Sequence, residues 1–114
     1  MKKVLALICA RKNSSEIPNK NLIKFNGKTL VGHSIDQAKK LKKKYKLKIV
    51  CSTDSIKISK IAKKHGAFVP FLRPKNLARK NSPEWLVWRH ALSYFKKKEN
   101  YTPDIFVSLP PTAP

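Results

Sequence analysis

Long apolar runs and cysteine pairs are both missing from this chain of 114 residues. No stretch approaches the roughly 18 consecutive apolar residues of a membrane span, which excludes a transmembrane helix. The two cysteines, Cys9 and Cys51, form no CxxC motif and lie in short apolar runs, so we expect buried, reduced thiols in a cytoplasmic protein. Residues 4–10 are at the short limit for a signal peptide and are followed at once by Arg-Lys-Asn, which fits a buried strand better.

Acidic residues are also scarce, since six Asp and Glu stand against 26 Lys and Arg, for a formal net charge of +20. Such a charge attracts phosphate groups at low ionic strength. Only four of the basic residues are arginine, the side chain best suited to reading bases and gripping phosphate. Most lysines fall in segments with helical apolar spacing, which favours a solvated helix surface. A small basic module that binds nucleic acid or another polyanion is the rival interpretation.

The apolar pattern predicts strands that alternate with helices. Strands are expected at residues 3–10, 47–52, 67–71 and 104–109. Helices are expected at residues 30–44, between an N-cap at Asp54 and a stop at Gly66, and at residues 84–98. This order predicts an α/β fold, a three-layer, doubly wound and mainly parallel sheet that is truncated after the fourth strand.

The polar loop after the first strand is the candidate site, because ligands of open α/β sheets bind at the carboxyl ends of strands. Residues 10–21 contain no glycine and match neither GxxxxGK[ST] nor GxGxxG. They do offer cations that can neutralise a triphosphate, together with amide and hydroxyl donors. These side chains are Arg11, Asn13, Ser14, Ser15, Lys20 and Asn21. Composition alone leaves an ordinary polar connection equally open.

The order of residues in this loop resembles a known signature. Residues 10–21 read ARKNSSEIPNKN, which is similar to A-R-x-x-S-K-x-[IL]-P-x-K-N at the N-terminus of the acylneuraminate cytidylyltransferases, the CMP-N-acetylneuraminic acid synthetases. Further matches follow in the same order along nearly the whole chain. They are GKTL at residues 27–30, VCSTD at 50–54, RPKNLA at 73–78, and LPPTAP at 109–114.

The resemblance implies a nucleotide-diphosphosugar transferase-like fold, with residues 1–114 as the N-terminal nucleotide-binding part of one domain. It implies transfer of CMP from CTP to an acidic sugar such as a sialic acid, with release of pyrophosphate, for cell-surface polysaccharide (lipopolysaccharide) biosynthesis. Mg²⁺ is the implied cofactor, and no residue of this chain is assigned as its ligand. The expected partners are CTP and the sugar, without membrane or nucleic acid, and the full-length protein is expected to be a homodimer. A catalytically inactive fragment is the other alternative.

Site residues are carried over from the same resemblance. Arg11 and Lys20 are the expected catalytic residues, because they would hold the phosphates. The expected nucleotide-binding residues are Ala10, Arg11, Asn13, Ser14, Lys20, Asn21, Arg73 and Ser82.

Two positions depart from the family pattern. Ser15 and Glu16 stand where a lysine is usual after the loop serine, which removes a positive charge and adds a negative one. Pro110 stands where many members carry a glutamine able to read cytosine. The segment SPEWLVWRHAL at residues 82–92 resembles a branch of the family with the same proline, so the change indicates a subgroup.

Three further positions have open interpretations. Asp54 is expected to be a helix N-cap rather than a metal ligand. His90 could face a substrate or lie in the core, and the sequence does not separate the two. Trp85 and Trp88 are expected to cover the sheet.

Overall fold

A parallel sheet of three strands forms the centre of the computed structural model, which describes residues 1–12, 20–79 and 82–109. In chain order the elements are β1 (Lys3–Cys9), β2 (Lys24–Phe25), β3 (Lys28–Thr29), α1 (Leu30–Ala38), β4 (Lys46–Ser52), α2 (Ile56–Lys64), α3 (Glu84–Glu99) and β5 (Ile105–Leu109). The sheet order is β4–β1–β5, and β1 pairs in parallel with both neighbours. β1 is therefore the central strand.

β1 is buried on both faces because helices cover each side of the sheet. Ala6 and Ile8 face α1 and α2, in a cluster whose buried members are Ala6, Ile8, Ala10, Val31, Ile35, Ala38, Ile49, Cys51, Ile58, Ala62 and Ala67. Leu5 and Leu7 face α3, together with Val50, Ala91 and Phe95. Since successive side chains of a strand point to opposite faces, a continuous apolar strand suits this position. The predicted three-layer, doubly wound arrangement is confirmed.

The two helices on the first face approach each other closely at Gly32. A Cβ atom built on this residue of α1 would lie 2.7 Å from Nε2 of His65, the residue that ends α2. Glycine is therefore required by the close approach, and His65 is held in place by a contact of 3.3 Å between its Nδ1 and Asp36.

The predicted strand at residues 67–71 is wrong, because only a single bridge forms, between Phe68 and Val50. Phe68 donates its N–H to Ile49 at 2.8 Å and accepts from Cys51 at 2.9 Å. The next rung of a parallel ladder would need an N–H at Pro70, and proline has none. The pairing stops there for that reason.

The predicted helix at residues 30–44 is also too long. α1 ends at Ala38, and Lys39–Lys43 continues as a 3₁₀ helix. Five of residues 39–44 are lysines, so like charges would lie three and four residues apart on an α-helix. This repulsion disfavours further α-helical turns.

The N-cap of α2 is Ser55 rather than the predicted Asp54. The Ser55 hydroxyl accepts from the N–H of Ile58 at 3.2 Å. The Asp54 carboxylate accepts instead from the backbone of Lys12, 42 residues away. The stop at Gly66 is confirmed, since this residue has a φ of +100° directly after the helix C-cap.

The polar segment between β1 and α1 contains short structure. A 3₁₀ turn spans Lys20–Leu22, and β2 and β3 form a hairpin around Asn26 and Gly27. Both turn residues have positive φ, as an Asn-Gly hairpin turn requires. An Asn-Gly pair between polar-apolar segments is a sequence signal for such a hairpin.

α3 follows its prediction closely but carries one exposed tryptophan. Trp88 lies against Phe106 of β5, with ring centroids 5.8 Å apart, whereas Trp85 is 55% exposed. The expectation that both tryptophans cover the sheet is thus confirmed for Trp88 and wrong for Trp85, which lies in the first turn of the helix and faces solvent.

Candidate functional site

The path of the chain creates a crevice at the carboxyl end of β1. From β1 the chain passes through α1 to β4 on one side, and it later returns through α3 to β5 on the other side. The strand order therefore reverses between β1 and β5. In open α/β sheets, ligands bind in the crevice beyond the carboxyl ends of the strands at such a switch point. The predicted loop starts at this place.

The first residue after β1 is still part of the sheet. Ala10 is fully buried, and its N–H donates to the carbonyl of Ser52 at 3.0 Å. Arg11 then becomes partly exposed and Lys12 exposed. Of the other predicted nucleotide-binding residues in this loop, Asn13 and Ser14 lie outside the described residues, as do Ser15, Glu16 and Pro110.

The peptide group that joins Arg11 to Lys12 is held from both sides. Its carbonyl oxygen accepts from Nδ2 of Asn21 at 2.9 Å. Its N–H donates to Oδ1 of Asp54 at 2.7 Å. Asn21 is only 6% exposed, whereas its neighbour Lys20 points to solvent. The described residues thus bring Arg11, Asn21 and Asp54 together at the exit of β1.

Arg73 is buried at the carboxyl end of β4. Its Nε donates to the hydroxyl of Ser52 at 3.0 Å, and its Nη2 donates to the carbonyl of the same residue at 2.7 Å. Burial lowers the pKa of Arg73 from its ordinary value. No ion pair among the described residues includes its guanidinium. The result is an internal positive charge without a salt-bridge contact in that part of the chain, and the Asp54 carboxylate acts on it from a greater distance.

Ser82 binds within its own loop. Its hydroxyl donates to the carbonyl of Asn76 and accepts from the N–H of Arg79, both at 3.1 Å. These bonds close the turn that precedes α3. The structure therefore gives Arg73 and Ser82 roles in holding backbone, and a contact of either with nucleotide stays a prediction.

A depression of about 480 Å³ lies beside the exit of β1. It is lined by Lys12, Leu22, Asp54, Ser55, Ile56 and Lys57. Two lysines against one carboxylate give this lining a positive balance, which suits an anionic group. The depression was not among the predicted sites, although a polar Ser-Thr-Asp-Ser run at residues 52–55, directly after buried residues of β4, is a sequence signal for it.

Neither thiol at this edge is suited to act as a nucleophile. Burial raises the pKa of Cys51 to about 12 and also raises the pKa of Cys9. Both cysteines are free, and Cys51 is buried while Cys9 is partly exposed. The expectation of buried, reduced thiols is confirmed for Cys51, whereas Cys9 is reduced but only partly buried.

His90 lies on the opposite face of the sheet, against an aromatic group. Its ring meets Phe71 edge-on, with centroids 4.5 Å apart. Its Nδ1 is buried and has no hydrogen-bond partner among the described residues. His90 is only partly buried and also lines a surface depression with Leu86 and Tyr94, so the core and substrate-facing interpretations both stay predictions.

The described residues do not form a metal site. No group of three His, Cys, Asp or Glu side chains gathers anywhere in residues 1–12, 20–79 and 82–109. Asp54 is already engaged with the backbone of Lys12. The expectation that Mg²⁺ takes no ligand from this chain stays a prediction.

Among residues 1–12, 20–79 and 82–109, every helix is too short or too polar to cross a membrane.

Comparison with known proteins agrees with this geometry. A family model described as Cytidylyltransferase matches residues 5–83, a range that includes every predicted site residue. The post-translational flagellin modification protein B of Campylobacter coli is 40% identical over 114 residues, covering 96% of this chain and 48% of that protein. A pseudaminic acid cytidylyltransferase of Campylobacter jejuni is 37% identical over 112 residues, covering 98% of this chain and 47% of that protein.

A solved structure shows the same relationship. A cytidylyltransferase from Leptospira borgpetersenii superposes with a TM-score of 0.65 at 28% identity, covering 96% of this chain and 42% of that one. The present chain therefore spans about half the length of the relatives that it matches.

Proposed function

This chain belongs to the cytidylyltransferase family, and we propose that the full-length protein transfers CMP from CTP to an acidic sugar with release of pyrophosphate. The observation that carries the proposal is the exit of β1 at the switch point of the sheet. There the start of the signature loop is fixed by Asn21 and Asp54, directly beside a depression with a positive lining.

The reaction needs charge stabilisation more than covalent help from the protein. The anomeric hydroxyl of the sugar loses its proton to solvent, and its oxygen forms a bond to the α-phosphorus of CTP while the bond from that phosphorus to the bridging oxygen of pyrophosphate breaks. Negative charge grows on the phosphate oxygens and on the leaving group. Cations held near these oxygens lower the barrier, and fixed positioning supplies much of the rest. We assign this role to Arg11 and Lys20.

The remaining predicted residues would surround the nucleotide. Asn13 and Ser14 would offer backbone and side-chain donors, and Arg73 would add positive charge. Ala10, whose N–H is already bound to the Ser52 carbonyl, would only form the buried start of the loop. Mg²⁺, when bound with CTP, would offset the charge of the triphosphate, and its ligands would lie outside the described residues. The two lysines in the lining of the depression support an anionic ligand, although they do not by themselves select CTP.

The proposed sugar is a nine-carbon acidic sugar such as a sialic acid or pseudaminic acid. The printed name of the Campylobacter jejuni relative supports this class. We propose that the product feeds a cell-surface polysaccharide, that the reaction occurs in the cytoplasm where CTP is available, and that the full-length protein is a homodimer. Free thiols at Cys9 and Cys51 suit a reducing compartment.

Calorimetric titration of the full-length protein with CTP and Mg²⁺ tests the proposal. We expect saturable binding that weakens at least about tenfold in Arg11→Ala and in Lys20→Ala, because each removes a charge-assisted contact to phosphate. Lys64→Ala, an exposed lysine at the far end of α2, is the matched control and should bind CTP like the wild type.

Other nucleotides separate the enzyme from a general polyanion-binding module. We expect ATP and GTP to bind more weakly than CTP, and CMP-sugar to form when an acidic sugar is added. If all three nucleotides bound alike, with affinity collapsing between roughly 50 and 200 mM salt, the polyanion interpretation would replace this proposal.

A further inference from the structure

We propose that Asp54 and Asn21 are positioning residues that together fix the Arg11–Lys12 peptide group and so aim Arg11 at the nucleotide. The proposal concerns residues that do not need to touch CTP themselves. It rests on the proposed function for its effect on CTP affinity, and on geometry alone for the fixed peptide group.

The two hydrogen bonds act on the same rigid unit. A trans peptide group is planar, and its C=O and N–H bonds lie in that plane and point in opposite directions. Asn21 holds the C=O side at 2.9 Å and Asp54 holds the N–H side at 2.7 Å. With both ends fixed, the plane cannot rotate, and the direction in which Arg11 leaves the backbone is set.

These two hydrogen bonds restrain the backbone just beyond the point where the hydrogen bonds of the sheet end. The bond from Ala10 to Ser52 is the last rung between the exit of β1 and β4. Beyond it the backbone of a polar loop would be free to rotate. Asp54 follows β4 at the same edge, and Asn21 belongs to the 3₁₀ turn on the far side of the loop. The peptide group is therefore tied both to the neighbouring strand's exit and to the loop's other end.

The chemical nature of the two side chains fits this role. Asn21 is 6% exposed and uses an amide hydrogen on the Arg11 carbonyl, so a backbone bond accounts for its burial. A carboxylate beside an anionic ligand would repel it. Here Lys12 and Lys57 line the same depression as Asp54 and offset its charge, while its Oδ1 accepts from backbone.

The experiment compares five variants of the full-length protein. Asp54→Ala and Asn21→Ala each remove one hold, whereas Asp54→Asn keeps an oxygen that can accept from Lys12. The double variant Asp54→Ala/Asn21→Ala removes both. Asp104→Ala is the matched control, because Asp104 accepts the backbone N–H of Lys3 at 2.8 Å at the opposite end of β1.

We expect CTP affinity to fall about tenfold in Asp54→Ala and in Asn21→Ala, and by less than about threefold in Asp54→Asn. The double variant should lose less than the product of the two single losses, because both bonds hold one peptide group. Asp104→Ala should lower Tm while leaving CTP affinity unchanged. A loss of Tm in Asp54→Ala without a loss of CTP affinity would overturn the proposal.

Amide exchange without nucleotide separates this proposal from the proposed function. The Lys12 amide should be protected in the wild type and in Asp54→Asn but exchange faster in Asp54→Ala. Unchanged exchange would overturn the positioning role whatever CTP does. If instead Arg11→Ala bound CTP like the wild type while Lys12 lost protection in Asp54→Ala, the fixed peptide group would stand and the proposed nucleotide site would fail.

Discussion

Arg73 donates to both the hydroxyl and the carbonyl oxygen of Ser52, and it thereby joins the loop before α3 to the carboxyl end of β4. A guanidinium suits this task because its nitrogens form a planar fork. The N–H of Arg73 also donates to Thr53 at 2.7 Å, so backbone and side chain hold the same strand exit.

Replacing Arg73 should therefore destabilise the fold as well as change its charge. Arg73→Met keeps much of the volume but removes both side-chain bonds to Ser52, whose carbonyl then keeps only the Ala10 N–H, and we expect a loss of about 2–3 kcal/mol. Arg73→Lys should recover only part of it, because one ammonium cannot reproduce the fork. Urea unfolding measures both, with the exposed Arg89→Met as control. Equal midpoints for the Arg73 and Arg89 variants would contradict the prediction.

Gly32→Ala should destabilise the contact between α1 and α2 despite the better helix propensity of alanine. The added methyl group would lie 2.7 Å from Nε2 of His65, and the ring cannot move freely because Asp36 holds it. We expect a net loss of about 1–3 kcal/mol in the free energy of unfolding. In a His65→Ala background the same change should cost much less, because the remaining close neighbour is the Thr29 hydroxyl at 3.1 Å. A loss of equal size in both backgrounds would exclude His65 as the cause.

Lys48 should stabilise the packing of α3 more than an ordinary surface lysine does. Its Nζ lies 4.6 Å from the Phe68 ring centroid and 5.0 Å from that of Tyr101, and 3.5 Å from a carboxylate oxygen of Glu99. Lys48→Gln should cost about 1 kcal/mol, since cation–π contacts at partly buried sites contribute on this scale. Lys46→Gln, on the exposed start of the same strand, is the control for thermal unfolding. Equal shifts in Tm would refute a special role.

His90 should make the fold sensitive to mild acid. Burial, and then the charge of Arg73, lower the pKa of His90 in the folded state. The unfolded chain then binds the proton more readily, so stability is fully present above the unfolded pKa of about 6.5 and falls as the pH drops through it. Urea midpoints at pH 8 and pH 5 should differ more for the wild type than for His90→Phe. Identical differences would show that other groups cause the acid effect.

Elements defined by local apolar pattern could be predicted from the sequence. β1 has a continuous apolar run of the kind that a strand covered on both faces can bury, β4 has a shorter one at residues 49–51, and α3 has one apolar side. The failed strand at residues 67–71 has an apolar run as well. The strand ends because Pro70 lacks the N–H that the next hydrogen bond to β4 requires. This could not be predicted from the sequence, because it depends on which residue of β4 lies opposite the proline.

The site was harder to predict, because its contacts join distant residues through backbone atoms. Asp54 has the right type and position for an N-cap, yet it binds the Lys12 N–H 42 residues earlier. Buried Arg73 has its hydrogen-bond acceptors in the carbonyl and hydroxyl of Ser52. The pattern of charged residues along the sequence does not predict such uncharged acceptors. The order of the motifs was enough to locate the loop. The orientation of its first peptide group could not be predicted, because it depends on contacts that form only in the folded sheet.

The central position of β1 has a consequence for synthesis in the cell. β1 is synthesised before its neighbour β5, whose paired residues follow 101 residues later. At translation rates of roughly 5–20 residues per second, one edge of the most apolar strand waits about 5–20 s for its partner. β4, α1 and α2 are synthesised sooner. β4 can pair with the other edge of β1, and α1 and α2 can cover one face of the sheet. Nascent chains of this protein should therefore be good clients for chaperones that protect open strand edges.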